Sequence, residues 1–260
     1  MQYKEITLDE LGVRIELAAF TPPQGKVAEW HAMLHVEPRN ETFQQQYHRL
    51  CKAEAQFMAD ESMAEALERG LLLPRVRGRQ YERVILYSSS PSTRVPLDEF
   101  RREDMLAVYR LTFSGISPRP EDMCFQVLPS LDVVEIFTLH PSIVDTLKSH
   151  YPSAMVQGLY GTMLSQVAEM QQGSTLSVSC HVIIVDGGLM IAVLRRGHLH
   201  FANVFCAAGN ADKLYFILYV WKTLSLDAWH DSCTLYGADE DLYNEVCQYL
   251  AHVDMRELSI

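Results

Sequence analysis

The sequence lacks most of the signatures that would announce an enzyme. It contains no G-x-x-x-x-G-K-[ST] loop, no G-x-G-x-x-G turn and no G-x-S-x-G elbow, which removes the common nucleotide-binding and hydrolase motifs. Its six cysteines are Cys51, Cys124, Cys180, Cys206, Cys233 and Cys247, and no two stand in a C-x-x-C spacing. A zinc ribbon or redox dithiol is thereby disfavoured. Cys180, Cys206 and Cys247 sit in apolar runs, where a free thiol is expected to behave as a small hydrophobe. Positive charge is scarce as well: 22 Lys and Arg face 33 Asp and Glu, a net charge of −11. Such a chain repels phosphate backbones, so nucleic acid is a poor partner. No long apolar run exists either. The longest, Leu214 to Trp221, is well short of the roughly 20 residues a membrane span needs. The opening Met1-Gln2-Tyr3-Lys4-Glu5 is polar and unlike a signal peptide, so the expectation is a cytoplasmic, reduced protein without a membrane segment.

What is present reads as mixed α/β. Val13, Ile15 and Leu17 alternate with polar residues, then Thr21-Pro22-Pro23-Gln24-Gly25 makes a turn. On the return segment Trp30, Ala32, Leu34 and Val36 share one face, opposite His31 and His35. The alternation predicts a strand there, which leaves these two histidines on a solvated face and excludes a helical metal pair. Phe43, Tyr47, Leu50, Cys51, Phe57 and Met58 keep a helical spacing that ends at Gly70. Tyr81 to Tyr87 reads as a strand, Asp98 as the cap of a helix to about Arg110, and Ser88 to Ser92 as a turn rather than a nucleophile. Cys124–Leu128 and Val133–Leu139 read as strands, and helices follow Pro141 and Met155. The polar stretch Gln171-Gln172-Gly173-Ser174 is the expected boundary between units 1–172 and 173–260.

Beyond it, Asp186-Gly187 and Arg196-Gly197 separate three apolar runs and predict a three-strand meander from Val178 to Phe205. Asn210 is expected to cap a helix whose Leu214–Trp221 run is buried nearly all round. A strand at Cys233–Tyr236, a turn at Gly237 and a helix at Leu242–Leu250 follow, in the order β-β-β-α-β-α.

That order is the plan of a ribonuclease-H-like unit, and two in tandem make the actin, sugar-kinase and Hsp70 arrangement. Three stretches resemble the bacterial domain-of-unknown-function family 3822, whose members have an actin-like ATPase fold. They are Tyr81–Tyr87 with Arg94–Phe100, Gly197–Phe205, and Asp212–Val220. The resemblance implies that nucleotide, if held, would sit at three loops. The second phosphate loop would be Asp186-Gly187-Gly188, and the adenosine turn would be Tyr236-Gly237-Ala238. The first loop, Phe20 to Gly25, departs from the pattern, for it has no Asp and two prolines that cannot donate an N–H. Asp186-Gly187-Gly188 is also what a tight hairpin needs with no ligand, and Gly237 is also what a strand-to-helix exit needs.

The expectation is therefore a non-catalytic, partner-binding or scaffold protein with no cofactor. The alternative is a Mg-dependent ATP-binding protein or ATPase. Arg69, Arg75, Arg77, Arg79 and Arg83 form the one basic concentration, around Gly78, an anion or acidic-partner contact if not merely a solvated loop. His198 and His200 share one strand face and His181 is placed on a neighbouring strand, but without a carboxylate or thiolate in register the three read as surface or edge residues.

Overall fold

The computed structural model describes residues 2–9, 12–19, 30–38, 53–57, 81–88, 90–113, 118–139, 141–171, 177–185 and 187–258. Two compact units emerge, one of residues 1–127 and 133–161, the other of residues 128–132 and 162–260.

In the first unit, strands β1 (Gln2–Asp9), β2 (Gly12–Ala19), β3 (Trp30–Pro38), β4 (Ala53–Phe57) and β5 (Tyr81–Ser88) form a sheet with β9 (Met155–Gly158). The order is β4-β1-β2-β3-β5-β9, and only the β5–β9 pair is parallel. His31 and His35 lie in β3, so the strand expectation holds. The helical reading does not hold at Ala53–Phe57, which pairs antiparallel with β1. Ala53-Glu54-Ala55-Gln56-Phe57 alternates strictly, a period that a strand accommodates and a helix does not. The rest of that predicted helix lies outside the described residues.

A second, three-stranded sheet has the order β6-β8-β7, from β6 (Thr93–Pro96), β7 (Met123–Leu128) and β8 (Val133–Thr138). Helix α1 (Met105–Thr112) starts later than expected, after a 3-10 turn at Arg102–Asp104. Asp98 caps nothing, because Glu99 N–H closes a turn onto the Pro96 carbonyl at 3.1 Å. Helices α2 (Pro141–His150) and α3 (Leu159–Met170) flank β9 in sequence.

The second unit carries the order β12-β11-β10-β13-β14, from β10 (Val178–Val185), β11 (Gly188–Arg195), β12 (His198–Cys206), β13 (Ser232–Tyr236) and β14 (Val253–Arg256). The meander is antiparallel and β13 and β14 add in parallel. Arg196 and Gly197 both have positive φ, 51° and 81°, the type I′ geometry whose twist matches the flanking strands. One sheet face is apolar: Cys180, Val182, Leu189, Ile191, Val193, Cys233 and Leu235 are buried together with residues of α4 (Asn210–Thr223) and α5 (Glu240–Cys247).

Helix α4 differs from expectation in two ways. Gly209, not Asn210, is its N-cap, and its buried residues are Ile217, Val220 and Trp221. Tyr215 and Tyr219 are 61% and 51% exposed, so the helix presents an aromatic side outward instead of being buried all round. Their i, i+4 spacing puts both on one face, and a phenol tip tolerates water.

The thiols divide by position. Cys180 and Cys233 are register partners on β10 and β13 and both are buried, whereas Cys206 and Cys247 are exposed, contrary to their apolar sequence surroundings. Burial first, then the nearby Asp122 charge, pushes the Cys124 thiol up to about 11. Alkylation at pH 8, read site by site by mass spectrometry, should modify Cys206 and Cys247 at least about tenfold faster than Cys124, Cys180 and Cys233. Equal rates for Cys180 and Cys206 would contradict this packing.

Candidate functional site

Gly187, Gly188 and Gly237 gather at one end of the second unit's sheet, where the parallel strands β10 and β13 terminate; Asp186 and the loop Phe20–Gly25 lie outside the described residues. Gly187 has φ +69° and Gly237 φ +68°, backbone that disfavours any other residue. A Cβ on Gly188 would overlap the Phe205 carbonyl, so β12 itself fills the space beside this glycine. The Gly187 carbonyl accepts from Ala207 N–H at 3.0 Å, tying the hairpin tip to the lead-in of α4.

The start of α5 is closed by one of the chain's own carboxylates, whereas α4 has no side-chain cap. Asp239 caps α5, accepting from Leu242 N–H at 2.8 Å, and the Asn210 amide donates to its two oxygens at 2.9 and 3.2 Å. The Leu242 N–H first and the Asn210 amide second hold the Asp239 carboxyl below its ordinary range. Asp212 accepts from Ala208 N–H at 3.2 Å just ahead of α4. The one lysine in the network, Lys213, donates from Nζ to the Asn210 side-chain Oδ1 at 3.3 Å. Helix N-termini attract anions through free N–H groups and the macrodipole. At α5 the Asp239 carboxylate already supplies that anion, and Glu240 and Asp241 add acid to the first turn; at α4 the acid in the first turn is Asp212.

The other sequence candidates take structural places. Ser88 and Ser90 hydroxyls both donate to the Thr138 carbonyl, at 3.0 and 2.8 Å, and Ser90 Oγ accepts from Thr138 N–H at 3.0 Å. Both serines are buried, which makes them staples between strand ends; Ser89 lies outside the described residues. Arg83 is in β5, while Arg69, Arg75, Arg77 and Arg79 lie outside them. His181 does not join His198 and His200, because β11 separates β10 from β12, and it is no surface or edge residue, because β10 is central in the sheet and its imidazole is buried. Among the described residues no three of His, Cys, Asp and Glu converge on a metal position.

Two buried polar clusters escaped the sequence reading. Glu135, in β8, has no exposed surface. Its Oε1 accepts from Arg94 Nη2 at 3.0 Å and Ser92 Oγ at 2.7 Å, and its Oε2 accepts from Gly161 N–H at 2.9 Å at the start of α3. A Cβ on Gly158 would overlap Glu135 Oε2, with Cδ at 2.8 Å. Every partner is internal, so this carboxylate fastens β8 to the β9–α3 turn. An acid inside the apolar run Val133–Phe137 was the available signal.

The second cluster is on the other face of β10. His181 is fully buried, with Nε2 2.9 Å from Ser179 Oγ and Nδ1 3.2 Å from the Tyr236 hydroxyl. Burial, and secondarily Arg256, lowers its pKa from 6.5 to about 4. Below pH 6.5 the unfolded chain therefore binds a proton that the folded chain refuses. Stability is full above pH 6.5 and falls toward pH 4 by about 3 kcal/mol from this group. Urea midpoints at pH 7 and pH 4.5 should differ less in His181→Gln than in the native chain; equal differences would refute the assignment.

The profile of a protein family described as of unknown function, DUF3822, matches residues 42–253. The chain belongs to the DUF3822 family. It is similar to a Bacteroides thetaiotaomicron VPI-5482 protein of unknown function with an actin-like ATPase fold. The TM-score is 0.65 at 20% identity, over 87% of this chain and 86% of that one. A weaker likeness, TM-score 0.44 at 13% identity over 90% of this chain and 87% of that one, is to a PilM–PilN type IV pilus biogenesis complex. No curated protein matches the sequence. The DUF3822 chain thus has a mixed α/β, actin-like fold, and among the described residues no helix is long and apolar enough to cross a membrane.

Proposed function

We propose that this protein is a non-catalytic scaffold or partner-binding member of the actin-like superfamily, working in the cytoplasm without a resident cofactor. In this reading its plan is two tandem ribonuclease-H-like units, residues 1–172 and 173–260. The meander followed by two parallel strands supports that plan for the second unit.

The observation that carries the reading is the state of the helix starts beside Gly187, Gly188 and Gly237. Gripping a triphosphate takes converging N–H donors and a carboxylate free to hold magnesium waters. Asp239 holds the Leu242 N–H at the start of α5 and Asp212 holds the Ala208 N–H ahead of α4, so a phosphate arriving here would meet two engaged carboxylates and their charge. At −11 overall, the chain adds no long-range attraction for such a ligand.

A second reading, a Mg-dependent ATP-binding protein, draws on the convergence of the three glycines at one sheet end, with Asp186 as the metal-orienting acid. Phosphate release from Mg-ATP distinguishes the two. The scaffold reading expects no release above that of an Asp186→Ala variant. Turnover that the variant loses would favour the second.

A further inference from the structure

We propose that this protein forms a two-fold dimer by pairing strand β12 antiparallel with β12 of a second copy, flanked by the Tyr215–Tyr219 face of α4. Among the described residues β12 has a hydrogen-bonded neighbour on one side only, β11. Edge strands of monomeric proteins are ordinarily guarded by charge, proline or shortness. This one has none of these: His198-Leu199-His200-Phe201-Ala202-Asn203-Val204-Phe205-Cys206 is nine residues long and holds no Lys, Arg, Asp, Glu or Pro. Its one irregularity sits near the start, where Leu199 pairs with Leu194 and Phe201 with Val193. In the second half, the Val204 N–H is bonded by the Asn203 side chain at 2.9 Å, a local substitute that a partner strand's carbonyl can replace.

Beside the edge stands an apolar wall. Phe205 stacks on Phe216 of α4 with ring centroids 4.7 Å apart. Phe216 meets Tyr215 at 5.3 Å, and Tyr215 stacks on Tyr219 at 6.1 Å. The two tyrosines are more than half exposed, so the ladder runs from the edge strand out to solvent. Aromatic residues at such a margin supply contact area at low entropic cost.

Charge selects the occupant. A basic partner would be recognised by carboxylates, and this strand carries none. An edge strand is complementary to itself about a two-fold axis, and β12, with no Lys, Arg, Asp or Glu, sets no such charges face to face there. Antiparallel self-pairing about a two-fold axis also closes on itself, which limits assembly to a dimer instead of a filament.

Sedimentation velocity from about 1 to 100 µM tests this. The native chain, 29.6 kDa, should sediment as a species of twice that mass at the upper end. Asn203→Lys sets like charges across the axis, and Tyr219→Glu adds acid to the wall. Each should weaken association at least about tenfold. Trp229→Ser, at a residue 77% exposed and outside the ladder, should leave it intact. Circular dichroism melting confirms that each variant is folded. A monomer at 100 µM, which leaves the edge to some other partner, overturns the proposal. A dimer that neither Asn203→Lys nor Tyr219→Glu weakens overturns it equally, since the contact then lies elsewhere.

Discussion

Glu135→Ala should destabilise the first unit by about 3–5 kcal/mol, because it strands a guanidinium that the fold has taken out of water. The Arg94 side chain is 9% exposed and Glu135 is not exposed at all. Removing the carboxylate also orphans Gly161 N–H and the Ser92 hydroxyl, each a further buried donor without its acceptor. Arg94→Ala should cost less, since Ser92 and Gly161 still serve the remaining carboxylate. A double-mutant cycle in urea should then return a coupling energy of about 1–3 kcal/mol between Arg94 and Glu135. Gly158→Ala probes the same junction from the backbone side, since its methyl group would occupy the space of the carboxylate. Additive single effects, with no coupling, would mean that the ion pair does not hold β8 to the β9–α3 turn.

Trp221→Ala should cost the second unit about 3–5 kcal/mol. The indole is 5% exposed and packs in the cluster that joins α4 and α5 to the sheet. Its Nε1–H is buried with no partner among the described residues, so Trp221→Phe sheds an unsatisfied donor while keeping most of the apolar area. That variant should lose no more than about 1.5 kcal/mol. A urea midpoint shift worth less than about 1 kcal/mol in Trp221→Ala, at unchanged slope, would show that the helix does not lean on this residue.

The second unit was far more legible than the first, and the reasons are local. Arg196-Gly197 and Asp186-Gly187 are turn sequences whose chemistry dictates a hairpin, and the runs between them are long enough to admit one reading. Strand β14 escaped because Val253-Asp254-Met255-Arg256 is short and mostly exposed, so burial left no pattern in it. Strand β4 escaped because its five alternating residues were absorbed into the longer helical spacing that runs from Phe43 through Met58, and the pairing with β1 shows that the local period was the deciding one. Caps were misplaced where a polar residue had a distant use: Asn210 reaches Asp239, 29 positions away, instead of its own helix.

The candidate site was legible as glycines and opaque as electrostatics. Sequence could mark Gly187, Gly188 and Gly237 as positions of special backbone. It could not show that Phe205 fills the space beside Gly188, or that Asp239 is shared between the Leu242 N–H and the Asn210 amide. Those depend on contacts between residues far apart in the chain, which periodicity does not encode. The same holds for Glu135, whose partners come from two separate segments, Ser92–Arg94 and the β9–α3 turn.

Thermal unfolding with and without millimolar Mg-ATP tests the central claim most directly. A ligand at one hundred times its dissociation constant stabilises the folded chain by about 2.7 kcal/mol, a rise of roughly 5–10 °C for a chain of this size. With Asp239 occupying the start of α5 and Asp212 adding negative charge beside α4, the predicted melting temperature is unchanged to within about 1 °C. A rise of roughly 5–10 °C that Asp186→Ala abolishes would contradict the scaffold reading and establish a working nucleotide site.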